Sequence, residues 1–258
     1  MPTTPSFGSL DGLRQALRAA RTDEPDGRFR LGAASPTGWA APGERVVLVC
    51  GCGGSAGATT VALALATVAG RARVVETCGA AASGLAYTAT AELGTAEHGW
   101  LRGSRDAVVV ERRGDSIAAP DRLPTPARSD VPVTIVDSSW DLATVLAASG
   151  WLGAWARSAP TLVLVTRATI PGLRRLDAAL ALTGETRALA VTVGAKRWPR
   201  PVEQSAGAAV RRLAALGHIV MLPELPSLAI SGLTPDPLPP AMTRPAMALL
   251  NLLEGRPS

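Results

Sequence analysis

Residues 45–70 constrain the fold more than any other stretch of the chain. Arg45-Val46-Val47-Leu48-Val49-Cys50 is a short apolar run, and Gly51-Cys52-Gly53-Gly54-Ser55-Ala56-Gly57-Ala58-Thr59-Thr60 is glycine-rich. An Ala/Leu/Val run then continues to Gly70. The order reads as a buried strand, a tight turn and a helix opening on two threonines. In such a unit the backbone N–H groups of the turn and the helix N-terminus converge on one point, which favours an anion such as phosphate. One part is missing. Where a phosphate-binding loop carries Gly-Lys-Thr, this chain has Gly57-Ala58-Thr59, so no lysine reaches the phosphates.

From Arg45 onward short apolar runs alternate with helical stretches, the signature of βαβ units around a mainly parallel sheet. Strands are expected at Val46–Cys50, Arg73–Thr77, Asp106–Arg112, Val131–Val136, Thr161–Thr166, Arg187–Val193 and His218–Leu222. Helices are expected at Thr59–Ala69, around Leu142–Ala148, at Pro171–Leu182, Val202–Leu216 and Arg244–Leu253. The fold class that follows is a three-layer α/β sandwich of about seven strands. Ligand sites in such sheets lie beyond the carboxyl ends of the strands. The domain organisation that follows is an N-terminal helix and linker over 1–44, then one α/β domain over 45–258.

The candidate site residues come from the loop and from later strand ends. Gly53, Gly54, Ser55, Ala56, Gly57, Ala58, Thr59 and Thr60 are candidates for nucleotide binding through backbone N–H groups. Thr59 stands where a Mg²⁺-binding hydroxyl belongs, and Asp137 closes a buried strand where a second metal-side carboxylate belongs. The plain alternatives are a first-turn helix residue for Thr59 and a cap of the next helix for Asp137. Glu76 closes another strand and is a candidate to hold a water or metal. Lys196, the single lysine, follows a buried strand and is a candidate for contact with a nucleotide base, as are Pro223 and Glu224; a surface position is the plainer reading of Lys196.

The run Gly53-Gly54-Ser55-Ala56-Gly57-Ala58-Thr59-Thr60-Val61-Ala62 resembles the deviant Walker A region of the ParA/MinD family of P-loop ATPases. It looks closest to the pilus-assembly and septum-site branch (TadZ/CpaE-like). Val133-Thr134-Ile135-Val136-Asp137 resembles the second nucleotide motif, Leu162–Thr166 the strand after it, and Met221-Leu222-Pro223-Glu224 the segment near the base. The resemblance spans residues 45–255 and implies a P-loop fold, ATP and Mg²⁺ as cofactors and a homodimer joined through the loop face. It also implies a protein partner in a secretion, pilus, conjugation, division or segregation assembly. The departures matter equally. Family members place a signature lysine early in the loop, where Cys52 or Gly53 stands here; the loop is one residue longer; and the strand ending Asp-x-Asp in the family ends in Glu76-Thr77-Cys78. Removing a donor of this kind from a transition state typically costs about 10²–10³ in rate, so a slow ATPase at most is expected. The alternative is a nucleotide-independent pseudo-ATPase scaffold.

Charge and cysteine content narrow the remaining classes. A net charge of +5 permits nonspecific DNA or anionic membrane contact, and Arg112-Arg113, Arg174-Arg175, Lys196-Arg197 and Arg211-Arg212 are the basic clusters. No dense basic block with interleaved aromatics occurs, so a solvated face is the plainer reading of the charge. The last helix lacks a Lys/Arg-rich polar face, which favours packing on the sheet over lying on a membrane. No apolar run of about 18 residues is present to span a membrane, nor is a secretory signal visible at the N-terminus. Three cysteines without paired spacing favour a reducing cytoplasm over a disulfide framework or zinc site. Cys50 is expected to be buried, and Cys52 and Cys78 to be exposed thiols.

Overall fold

The computed structural model describes residues 38–255. The helix expected near residues 13–20, and most of the linker after it, lie outside the described residues. A nine-stranded sheet runs through the molecule in the order β3-β4-β5-β2-β6-β1-β7-β8-β9. Its strands are β1 (Arg45–Gly51), β2 (Ala72–Glu76), β3 (Ala91–Thr95), β4 (Trp100–Arg105), β5 (Val108–Arg113), β6 (Val133–Ser138), β7 (Leu162–Arg167), β8 (Ala188–Gly194) and β9 (Ile219–Pro223). All seven expected strands are present. The two additional ones, β3 and β4, form an antiparallel extension at one edge, joined to the parallel strands through β5.

Eight helices flank the sheet in the described residues: α1 (Ala58–Ala69), α2 (Leu142–Ala147), α3 (Trp151–Ser158), α4 (Ile170–Thr183), α5 (Arg200–Gln204), α6 (Ala208–Ala215), α7 (Pro226–Ser231) and α8 (Pro240–Glu254). Alternation along the central strands divides the core between two faces. Leu48, Cys50, Leu162, Leu164 and Ala190 pack with α2, α3, α4 and α6. Val47, Val49, Val163, Val165 and Val191 pack with α1 and α8 on the other face. The result is the three-layer sandwich expected from the sequence. Helix α1 is buried along Val61–Ala66, and its alternating Ala and Leu let it lie close to the sheet under α8. Met242, Ala246, Leu249 and Leu253 seat α8 in that face, so it packs on the domain. No helix among the described residues is long and apolar enough to cross a membrane.

One expected helix divides in two. Val202–Leu216 is interrupted at Ser205-Ala206-Gly207, giving α5 and α6. Asp177 of α4 accepts hydrogen bonds from Gly207 N (2.7 Å) and Val210 N (3.2 Å), which starts α6 afresh. A side chain at 207 would fall on that carboxylate. A polar network also sits in the core beside β2. Arg73, fully buried, pairs with Glu44 (3.1 Å) and Glu111 (3.4 Å) and donates to the Ala127 carbonyl (2.6 Å). Its guanidinium lies 5.2 Å from the centre of the buried Trp39 ring. These bonds tie β2, β5 and the segment before β1 into one unit.

Candidate functional site

Strands β6, β1 and β7 lie side by side in parallel, with Val49 opposite both Asp137 and Val163. Their carboxyl ends therefore open at the same level. The chain leaving β1 is held there by a hydrogen bond from Cys52 N to the Val165 carbonyl (2.7 Å). It then turns back into α1 through Ser55, with φ 54°, and Gly57, with φ 92°. Both lie in the left-handed region, where only glycine is unstrained. A Cβ at Gly57 would also lie 3.2 Å from Val193 Cγ2, so space and backbone both require glycine there.

The turn bounds a cavity of about 380 Å³. Gly53, Gly54, Ser55, Ala56, Gly57, Ala58 and Thr59 form one wall, and Asp137, Ser138, Ser139, Trp140 and Asp141 the other. No side chain caps the start of α1. Its first N–H groups at Ala58, Thr59 and Thr60 are thus left for an external acceptor, as in any anion site at a helix start.

Asp137 is the chemically distinctive group. It is fully buried, and neither carboxylate oxygen has a hydrogen-bond partner among the described residues. Burial raises its pKa from 3.8 to about 7; the nearby Thr59 hydroxyl opposes the shift and the charge of Glu76 adds to it. A buried carboxylate with no donor in full hydrogen-bond geometry, the Thr59 hydroxyl standing nearby, is costly unless a cation or further donor satisfies it. With the Thr59 hydroxyl beside it, Asp137 offers the all-oxygen donor set that Mg²⁺ takes together with phosphate and water.

Glu76 has a different setting. Its carboxylate accepts from Gly84 N (2.7 Å), Leu85 N (3.1 Å) and the Ser83 hydroxyl, so both oxygens are engaged. Burial raises its pKa, and these three donors oppose the rise. It does not line the cavity. It acts on the site indirectly, because the Gly84 it anchors lies so close to Thr59 that a Cβ there would come within 2.9 Å of Thr59 Cγ2. Thr60 lies outside the cavity wall, as does Lys196, which is exposed on the loop after β8. Glu224 pairs with Arg167 (2.5 Å) across the ends of β7 and β9.

The expectation of exposed thiols at Cys52 and Cys78 is corrected. Cys78 is buried and Cys52 half-buried. Burial pushes Cys50, Cys52 and Cys78 each up to about 12, far from the thiolate form. No group of three or more His, Cys, Asp or Glu side chains suited to a metal occurs among the described residues. Several basic clusters are spent within the fold. Arg113 stacks on Trp100 and pairs with Asp115 (2.8 Å), Arg112 pairs with Glu92 (2.6 Å), and Arg212 pairs with Glu185 (2.5 Å). Sequence reasoning missed Ser138–Asp141 as a cavity wall. The signal available was the polar run Asp137-Ser138-Ser139 directly after an apolar strand.

No family model and no curated protein matches the sequence. Solved structures do match over most of the chain. A plasmid partition protein of Borrelia burgdorferi bound to AMPPNP aligns over 82% of this chain and 99% of its own, with a TM-score of 0.56 at 11% identity. MinD of Aquifex aeolicus in its MinC:MinD complex aligns over 83% and 97%, with a TM-score of 0.50 at 13% identity. The cell division ATPase MinD of Pyrococcus furiosus aligns over 82% and 98%, with a TM-score of 0.51 at 14% identity.

Proposed function

We propose that this chain, which shares its fold with the ParA/MinD P-loop ATPases, is a nucleotide-binding positioning or regulatory protein that binds ATP weakly and turns it over slowly at most. One observation carries the reading. The uncapped start of α1 and the buried, unpartnered Asp137 carboxylate face each other across a single cavity. Backbone N–H groups from Gly53 to Thr60 would hold the phosphates. Thr59 and Asp137 would hold Mg²⁺, which neutralises phosphate charge when bound. Ala58 supplies no ammonium group, and Glu76 is occupied with the 83–85 loop, so fast hydrolysis has no evident support.

The Borrelia protein is bound to AMPPNP and the Aquifex protein to MinC. By analogy the chain works in the cytoplasm as a homodimer joined through its loop face. It would engage a protein of a larger secretion, pilus, conjugation, division or segregation assembly, in the manner of the TadZ/CpaE-like branch. Nonspecific DNA contact would fall to the exposed Arg174, Arg175, Lys196 and Arg197. The second reading is a nucleotide-independent scaffold, favoured by the absence of lysine at position 58. Calorimetric titration with ATP and ADP, with and without Mg²⁺, separates the two. Mg²⁺-dependent heat of binding that is lost in Asp137→Ala supports the nucleotide reading. A flat titration of well-folded protein overturns it in favour of the scaffold.

A further inference from the structure

The cavity wall contains two carboxylates, Asp137 and Asp141, and no basic residue. A polyphosphate placed there would meet fixed negative charge with no side-chain cation from the wall, an arrangement that Mg²⁺ alone neutralises only in part. The structure brings one basic side chain to the wall from outside it. Arg175 of α4 lies against Gly53: a Cβ added to that glycine would sit 3.0 Å from Arg175 Nη1, 3.2 Å from its Cδ and 3.5 Å from its Cζ. Any larger residue at position 53 would displace the guanidinium.

The position of Arg175 is set by its helix. Leu173 and Leu176, either side of it, are fully buried in the core. Thr169 caps the helix by accepting from Gly172 N (3.1 Å), with Pro171 in the first turn. The backbone is therefore fixed while the exposed guanidinium reaches the loop. Many arginines in this chain are tied to carboxylates or carbonyls, but Arg175 has no hydrogen bond or ion pair among the described residues.

We propose that Arg175 supplies the loop with its cation, binding phosphate oxygens of a nucleoside triphosphate from a helix of the same chain in place of a loop lysine. The proposal rests on the nucleotide reading above. A planar guanidinium suits phosphate in two-point contact, and it keeps its charge at every physiological pH.

The test is binding of a fluorescent ATP analogue, with Mg²⁺, to the full chain and three variants checked for fold by circular dichroism. A charge-assisted contact of this kind is worth about 10- to 100-fold in affinity. Arg175→Ala is expected to weaken binding by that factor, Arg175→Lys by less, and the neighbouring Arg174→Ala hardly at all. The wild-type affinity should also fall more steeply with added salt than that of Arg175→Ala. Equal binding by wild type and Arg175→Ala overturns the proposal and leaves the nucleotide reading standing. Equal losses in Arg174→Ala and Arg175→Ala also overturn it, because general surface charge then explains the effect. No binding by the wild type overturns the nucleotide reading and this proposal together.

Discussion

Replacing Asp137 with Asn tests how the site stores its charge, and the nucleotide-free chain gives the clearest readout. In the folded protein the buried carboxyl holds its proton up to about pH 7, whereas the unfolded chain releases it near 3.8. Between these values the folded state binds more protons than the unfolded state, so stability falls as pH rises through the window and levels off above it. The window is about three pH units wide, and at about 1.4 kcal/mol per unit this one group accounts for a loss of about 4 kcal/mol. Asn has the same shape and no charge. Urea unfolding of both proteins across pH 4–9 should therefore show Asp137→Asn gaining on wild type as pH rises. The difference should reach about 4 kcal/mol above pH 7 and be least near pH 4. A difference between the two proteins that does not change with pH would refute the reasoning, since Asp137 would then be solvated or paired.

Other outcomes follow from named contacts. Arg73→Met leaves Glu44 buried without its cationic partner, while Glu111 keeps Arg102 (2.8 Å), and urea unfolding should show a loss of about 3–5 kcal/mol that Glu44→Gln largely recovers. Ala58→Lys restores the loop's missing ammonium, and calorimetry should register ATP affinity higher by about 10- to 100-fold. Gly57→Ala must adopt the left-handed backbone at φ 92° against Val193; thermal melting should show a loss of about 1–2 kcal/mol. A chromogenic disulfide reagent at pH 8 should modify the native thiols far more slowly than those of urea-unfolded protein, because burial holds all three near 12.

The parts of the fold legible in the sequence were those built from runs buried on both faces. Val46–Cys50 and Leu162–Val165 are continuously apolar because helices cover both sides of the parallel sheet. The edge strands were hidden for the opposite reason. Ala91–Thr95 is exposed throughout, and Trp100–Arg105 carries arginines whose partners come from elsewhere in the fold. The break between α5 and α6 was also illegible, because Asp177 imposes it from a different helix. Within the site, Thr59 and Asp137 could be aligned from strand ends alone, since parallel pairing puts those ends at one level. The approach of Arg175 to Gly53 depends on how α4 lies over β7, which no local pattern encodes.

The most direct test of a phosphate-binding loop without lysine is to locate the ligand on the loop. Backbone amide NMR shifts of isotopically labelled protein, titrated with Mg²⁺ and ATP, should change mainly at residues 53–59 and 137–141, which line the cavity. Unchanged shifts at those amides under saturating ATP, or changes confined to other surfaces, would contradict the assignment of this cavity as the nucleotide site.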